Sequence, residues 1–255
     1  LTAPAWRCER SEIRTLAFVL LFGLVPSTVF GQGLDRDTLL TEAPATPTAG
    51  TVRFAGFGGS TFQTNDGGST VNGSVMWTPF EHFAGDVGAY WQNGTGGGPT
   101  ARLRYQFLSQ KDVGIDMAAG VRAKTIGFHP NNGEVEFLLA AGRSFGNFDV
   151  LVNGVFGIET GGGGGKDLEV KSFAGYRFGE SGLRAGLDGR LQAEVGDDER
   201  ASVPKVGRDF DLTVGPAASF LVTPQFQLQA LVGLSAPKKT DLWSPIAVLG
   251  AAFDF

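Results

Sequence analysis

The sequence predicts an all-β fold: a closed antiparallel β-barrel of about twelve strands, with ten as the alternative count. Three features carry this reading. From residue 51 to the end, apolar residues alternate with polar or small ones, a period of two. The alternating runs span roughly nine to fourteen residues. Soluble strands cluster near 5–6 residues, whereas tilted strands that cross a bilayer need about 9–11. Clusters of turn residues break the runs regularly, and long polar connections alternate with short ones.

Composition fits such a barrel and excludes other classes. Glycine accounts for 39 of 255 residues and phenylalanine for 21; the glycine share is about twice the usual ~7%. Charged residues make up 18% and the formal net charge is −5. A net acidic chain argues against nucleic acid as a partner, which calls for a basic face. One cysteine excludes a disulfide scaffold and a cysteine-ligated metal cluster. No cofactor or metal is expected.

Residues 1–31 read as a signal peptide. Arg7, Arg10 and Arg14 precede the apolar run Leu16 to Val25, and Pro26 and Ser27 break it before a cleavage site after Gly31. The run is shorter than the ~20 apolar residues of a spanning helix. Cys8 falls in this segment. Residues 32–50, QGLDRDTLLTEAPATPTAG, show neither period and read as a flexible periplasmic lead-in. The barrel itself is expected over 51–255.

Eleven breaks follow in order: 64–69, 78–83, 93–98, 109–112, 129–134, 146–148, 161–167, 179–181, 197–209, 223–225 and 236–245. They imply twelve strands, an even number that brings both ends to one side of a closed barrel. The first three runs are less regular, hence the alternative count. The long connections fall in the phase expected if both ends lie in the periplasm. Pro216 interrupts the tenth run and predicts a bulge, because proline cannot donate to the ladder. Arg143 falls on the outward parity, close to a strand end where it can snorkel. Trp77, Trp91, Tyr105, Tyr176 and Trp243 lie near strand ends, where interfacial aromatic girdles sit.

The last strand, IAVLGAAFDF, sets Ala247, Leu249, Ala251, Phe253 and Phe255 on one face and stops on an aromatic. This resembles the C-terminal signature of bacterial outer-membrane β-barrel proteins of the porin-like type. The resemblance covers residues 51–255 and matches no narrower subfamily. It implies location in the bacterial outer membrane, contact with its lipid and lipopolysaccharide, and recognition of Phe253 and Phe255 by the barrel-insertion machinery.

Parity assigns the inner face. Arg102, Arg104, Asp116, Arg122, Lys124, Glu136, Asp149, Glu159, Glu169, Lys171, Arg177, Arg184, Asp188, Arg190, Glu194 and Asp211 all oppose the apolar face of their runs. Two readings follow. In one, the arginine clusters on strands four, five, eight and nine line a narrow passive channel for small polar or anionic solutes. In the other, cations and anions pair across the lumen and close a structural or surface-interaction barrel. Small twelve-stranded channels for acidic sugars resemble this chain in size and in their arginine-lined lumen.

Catalysis is the third reading and the weakest. Outer-membrane lipid- and peptide-cleaving barrels use a histidine near the outer rim. Here His82 falls in a periplasmic turn, and His129 in an outer loop beside Asn131, Asn132 and Glu134. No motif places a nucleophilic serine, so the protein is not expected to be an enzyme. TGGGGGKD lacks the first glycine and the Ser/Thr of a phosphate loop, because Thr160 and Asp167 stand there. Asp197, Asp198 and Glu199 read as solvated loop charge, and Lys238 and Lys239 could meet lipid phosphates.

Overall fold

The computed structural model describes residues 34–62, 68–93, 96–125, 133–160, 165–195, 210–237 and 242–255. The expected signal segment, His129, the acidic cluster at 197–199 and Lys238 and Lys239 lie outside the described residues.

Twelve strands form: β1 (Val52–Thr61), β2 (Ser69–Phe80), β3 (Phe83–Gln92), β4 (Gly96–Leu108), β5 (Asp116–Thr125) and β6 (Gly133–Phe145), then β7 (Phe148–Glu159), β8 (Lys166–Arg177), β9 (Leu183–Glu194), β10 (Phe210–Leu221), β11 (Phe226–Ala236) and β12 (Ser244–Asp254). Each pairs antiparallel with its sequence neighbours. The barrel closes where β1 meets β12, from Arg53 opposite Asp254 to Thr61 opposite Ile246. The less regular first runs are all strands, so the count is twelve and not ten. Closure leaves no edge with unpaired backbone groups, which a bilayer demands.

Pro216 produces no bulge. Register against β9 runs unbroken from Phe210 opposite Ala193 to Phe220 opposite Leu183. Against β11 the pairing lapses at Gly215 and Pro216 and resumes in the same register at Ala217 opposite Leu231. Two glycines absorb the missing donor. A Cβ on Gly215 would stand 2.5 Å from the Gly233 Cα, so the backbones close up without an extra residue. Register does shift elsewhere, between Trp77 and Phe80 and between Gln106 and Leu108.

Large apolar side chains stand outward all round. Val87, Leu103, Leu139, Leu187, Val232 and Leu249 are each at least half exposed. Such a side chain gains about 1.5–3 kcal/mol on leaving water, and soluble monomers keep contiguous apolar patches to a few hundred Å². A belt around the whole barrel therefore belongs in an apolar solvent. Trp77, Tyr105, Tyr176 and Phe255 are exposed at the short-turn rim, and Trp91 and Trp243 at the long-loop rim. Arg143 points outward with its guanidinium 4.8 Å from the Phe145 ring centre.

The short turns are locally built. In the β4–β5 connection a single helical turn, α1 (Gln110–Val113), is capped by the Ser109 hydroxyl and ended by Gly114 at φ 82°. The Asp116 carboxylate accepts from the Gln110 amide at 2.8 Å.

Residues 34–50 depart most from the expected flexible lead-in over 32–50, of which 32 and 33 lie outside the described residues. From Leu34 to Pro47 the chain is not a free tether: it folds back into the barrel lumen, and most of these residues are buried. Its physical reason is tertiary. Leu34 and Leu39 pack with Leu151, Phe173, Leu231 and Val248 from the inner wall, and the polar residues find partners on the strands described below.

Candidate functional site

The interior wall carries many of the charges of the expected inner face, while Glu159 and Glu194 end their strands exposed. Strand alternation sets Arg102 and Arg104 on β4, Arg122 and Lys124 on β5, Glu169 and Lys171 on β8, and Arg184, Asp188 and Arg190 on β9 facing inward. Their pairing runs along the wall, between near neighbours. Arg102 meets Asp86 of β3 at 2.6 Å; Lys124 meets Glu134 and Glu136 of β6 at 2.8 and 2.6 Å. Arg122 pairs with the same Glu136. Glu169 holds both Lys171 and Arg190 at 3.0 Å. Asp149 of β7 receives Arg177 at 3.3 Å and faces Arg184 at 3.7 Å.

Not every candidate belongs to one cluster. Asp116 accepts from the Gln106 side chain at 2.9 Å and serves the β4–β5 turn at the short-turn rim. Glu194 ends β9 at the opposite rim, exposed. Arg184 is fully buried with its guanidinium 5.0 Å from the Phe173 ring centre. On the wall, the sequence reading missed Arg53, Asp86 and Asp254. Arg53 and Asp254 face each other where β1 closes on β12, 2.6 Å apart.

The N-terminal segment fills the space these side chains surround. It is a loop with both arms at the short-turn rim. One arm joins β1 through Gly50, whose amide donates to the Thr78 carbonyl at 2.7 Å. On the other, Arg36 reaches Asp254 at 2.6 Å and the Pro224 carbonyl at 2.9 Å. The Ala45 amide donates to the Leu34 carbonyl at 3.2 Å and ties the arms together. A tight turn at Thr38–Thr41 forms the tip, where the Thr41 amide donates to the Thr38 hydroxyl at 3.0 Å.

Its polar contacts reach strands on every side. The Leu40 amide and Thr41 hydroxyl donate to the Asp188 carboxylate at 3.0 and 2.8 Å. Asn153 of β7 pairs reciprocally with the backbone of Glu42, at 2.7 and 2.9 Å. Gln106 of β4 accepts from the Thr46 amide at 2.9 Å, and Gln229 of β11 donates to the Asp37 carbonyl at 2.6 Å. Burying these backbone groups without partners would cost about 1–3 kcal/mol each, so the wall is shaped to receive this loop.

Two carboxylates of the segment occupy the cationic side of the wall. Asp37 meets both Arg102 and Arg104 at 3.3 Å. Glu42 meets Lys171 at 3.0 Å and Arg122 at 3.4 Å. Burial works against the charge on Asp37, yet the Arg102 and Arg104 guanidiniums and the Ala43 amide hold its carboxyl well below the usual range. Two inner-wall glycines make room for the loop. A Cβ on Gly142 would lie 2.7 Å from the Pro44 ring, and one on Gly250 2.8 Å from Leu39.

A closed antiparallel barrel, apolar around its outside and charged within, is a transmembrane β-barrel of the kind found in bacterial outer membranes. No protein-family model and no curated protein matches the chain. Solved structures do match it. It resembles the NanC porin at a TM-score of 0.59 and 10% identity, over 78% of this chain and 98% of that one. It resembles an outer membrane channel from Pseudomonas putida F1 at a TM-score of 0.54 and 14% identity, over 83% and 97%. The KdgM porin in complex with disordered oligogalacturonate gives a TM-score of 0.52 and 12% identity, over 80% and 99%. At these identities the likeness is one of fold.

Proposed function

We propose that the protein is a passive channel of the bacterial outer membrane for small polar or anionic solutes. One observation carries the reading: the wall charges pair with near neighbours along the barrel surface, as Arg102 does with Asp86 and Arg190 with Glu169. Charges meant to close a barrel would meet across its axis. Here the axis is left to a loop that belongs to no strand. The porin likeness supports the same reading, and the oligogalacturonate bound to one of those porins makes acidic solutes the first class to try. The pore-lining set is then Arg102, Arg104, Arg122, Lys124, Glu169, Lys171, Arg177, Arg184, Asp188 and Arg190, with Asp116 and Glu194 at the two rims.

A closed structural barrel is the second reading, favoured by the buried bonds of Asn153 and Asp188 to the loop. Single-channel conductance of folded, heat-modifiable protein in a planar bilayer separates the two. A potassium chloride gradient reads selectivity. Anion-selective steps support the channel; silence from protein that also remains silent without residues 34–47 supports the closed barrel.

A further inference from the structure

We infer that residues 34–47 are a displaceable plug, an intramolecular gate whose carboxylates Asp37 and Glu42 occupy the cationic positions of the lumen while the channel is shut. This rests on the channel reading and adds its regulation.

Most of the wall cations that meet the loop are also paired on the wall. If the loop leaves, Arg102 keeps Asp86, Arg122 keeps Glu136, Lys171 keeps Glu169 and Arg53 keeps Asp254. A loop that was part of the permanent core would strand several buried cations on leaving, at a cost of about 3–5 kcal/mol each. Among the described residues one cation is stranded, and one buried carboxylate, Asp188, loses the bonds it accepts from the loop. Arg104, 2% exposed, has Asp37 as its ion-pair partner and donates at 2.6 Å to the Ala43 carbonyl, both in the loop.

The path out is also short. Both arms lie at the short-turn rim, so the loop can withdraw through that opening without threading its end past the strands. It adds no strand to the sheet, and the barrel closes through β1 and β12 independently of it. Gly50, at φ 89° beside exposed Thr48 and Ala49, is a pivot between loop and wall.

The geometry supplies the test. The Leu39 side-chain tip lies 2.8 Å from where a Gly250 Cβ would stand, so Leu39→Cys and Gly250→Cys, made with Cys8→Ser so that no other thiol competes, form the pair to cross-link by oxidation, and a mobility shift on reduction checks that the bond has formed. Conductance in potassium chloride is compared for the oxidised and reduced double variant, for wild type, for Asp37→Asn/Glu42→Gln, and for protein lacking residues 34–47. Heat-modifiability checks that each has folded. The gate predicts wild-type openings, their loss on oxidation and return on reduction. It predicts about a tenfold or greater rise in open probability for Asp37→Asn/Glu42→Gln, which loses charge-assisted bonds at two seats. It also predicts steady conductance from the shortened protein.

Equal conductance of oxidised and reduced forms, with the shortened protein conducting, would overturn the gate and leave the channel. A wild type that stays silent while the shortened protein conducts would mean a fixed plug, and would overturn it too. Silence from folded, shortened protein would sink the channel reading itself, and the gate with it.

Discussion

Arg104 donates to the Asp37 carboxylate at 3.3 Å, and Asp37 is its one ion-pair partner among the described residues. Its neighbour on the same strand face, Arg102, has a second carboxylate in Asp86 at 2.6 Å. Among the described residues four cations of the barrel, Arg53, Arg102, Arg122 and Lys171, carry this double allegiance to loop and wall; Arg104 does not. The loop therefore changes the electrostatics of the lumen at one position more than at any other.

In protein lacking residues 34–47, Arg104 is expected to be the dominant anion contact. Arg104→Gln in that background should move the reversal potential in a potassium chloride gradient toward zero. Arg102→Gln combined with Asp86→Asn should move it less, because that change removes a cation together with its counter-charge. Equal shifts from both would show that the pairing with Asp86 does not matter to permeating ions.

Glu42 and Glu169 separate loop seating from wall integrity. Glu42→Gln leaves Lys171 and Arg122 with Glu169 and Glu136, so global stability should fall by only about 1 kcal/mol. Glu169→Gln strips Lys171 of its wall partner and Arg190 of the carboxylate 3.0 Å away. Lys171 then keeps Glu42 of the loop while part-exposed Arg190 loses its carboxylate, so the cost should be about 1.5–3 kcal/mol, above that of Glu42→Gln. Equilibrium urea unfolding in lipid vesicles checks the ordering; a larger loss for Glu42→Gln would make the loop part of the core.

The seat at Asp37 should survive mild acid. Because Arg102 and Arg104 hold its carboxyl below the usual value near 3.8, its contribution is present in full above that pH. The contribution disappears only as pH falls through the lower, loop-bound value. In a Glu42→Gln background, where the second seat no longer carries a carboxyl, open probability should thus stay flat from pH 8 to about 4 and rise below that. Opening already at pH 5–6 would assign the seat to another group.

The fold was legible because alternation is written residue by residue. A strand such as ARLRYQF fixes its own two faces, and the turn clusters fixed where each strand ends. The loop was not legible that way. Residues 34–47 have no period because their partners are tens to hundreds of residues distant, as with Arg36 and Asp254. One signal was available. Leu151, Phe173 and Leu231 fall on the inner parity and are buried, which makes little sense against water in a pore. They called for an apolar occupant, and the sequence LDRDTLL just ahead of the barrel supplies one. Pro216 misled for the converse reason: the compensation comes from Gly233, a neighbour in space and not in sequence.

Gly142 offers a steric route to the same loop. A side chain there would meet both Pro44 and Leu151, with a Cβ 2.7 Å from each. Gly142→Val should therefore unseat the Pro44 side of the loop at a stability cost of about 1–3 kcal/mol from overpacking. Limited proteolysis from the short-turn side, followed by mass spectrometry of the released N-terminal peptides, should show cleavage within residues 34–50 in the variant and protection in wild type. Protection in both would mean that the loop shifts within the lumen and stays seated.

Phe255 has two separable roles. Its backbone exchanges hydrogen bonds with Val52 at 2.8 and 3.2 Å, finishing the seam between β12 and β1. Its ring packs on Phe253 and Phe54, with centroids 4.6 and 5.4 Å away, yet most of the side chain stays exposed toward the membrane interface. Phe255→Ala keeps the backbone bonds and removes the ring contacts, worth about 0.5–1.5 kcal/mol each. Unassisted refolding into vesicles should therefore yield a barrel less stable by roughly 1–3 kcal/mol. If the terminal aromatic is also read by the insertion machinery, assembly in cells should fall far more than this modest loss predicts. The decisive comparison is with Phe54→Ala, which removes the Phe54–Phe255 contact from the other side of the seam and leaves the terminus intact. Equal assembly defects for the two variants would confine Phe255 to closing the barrel.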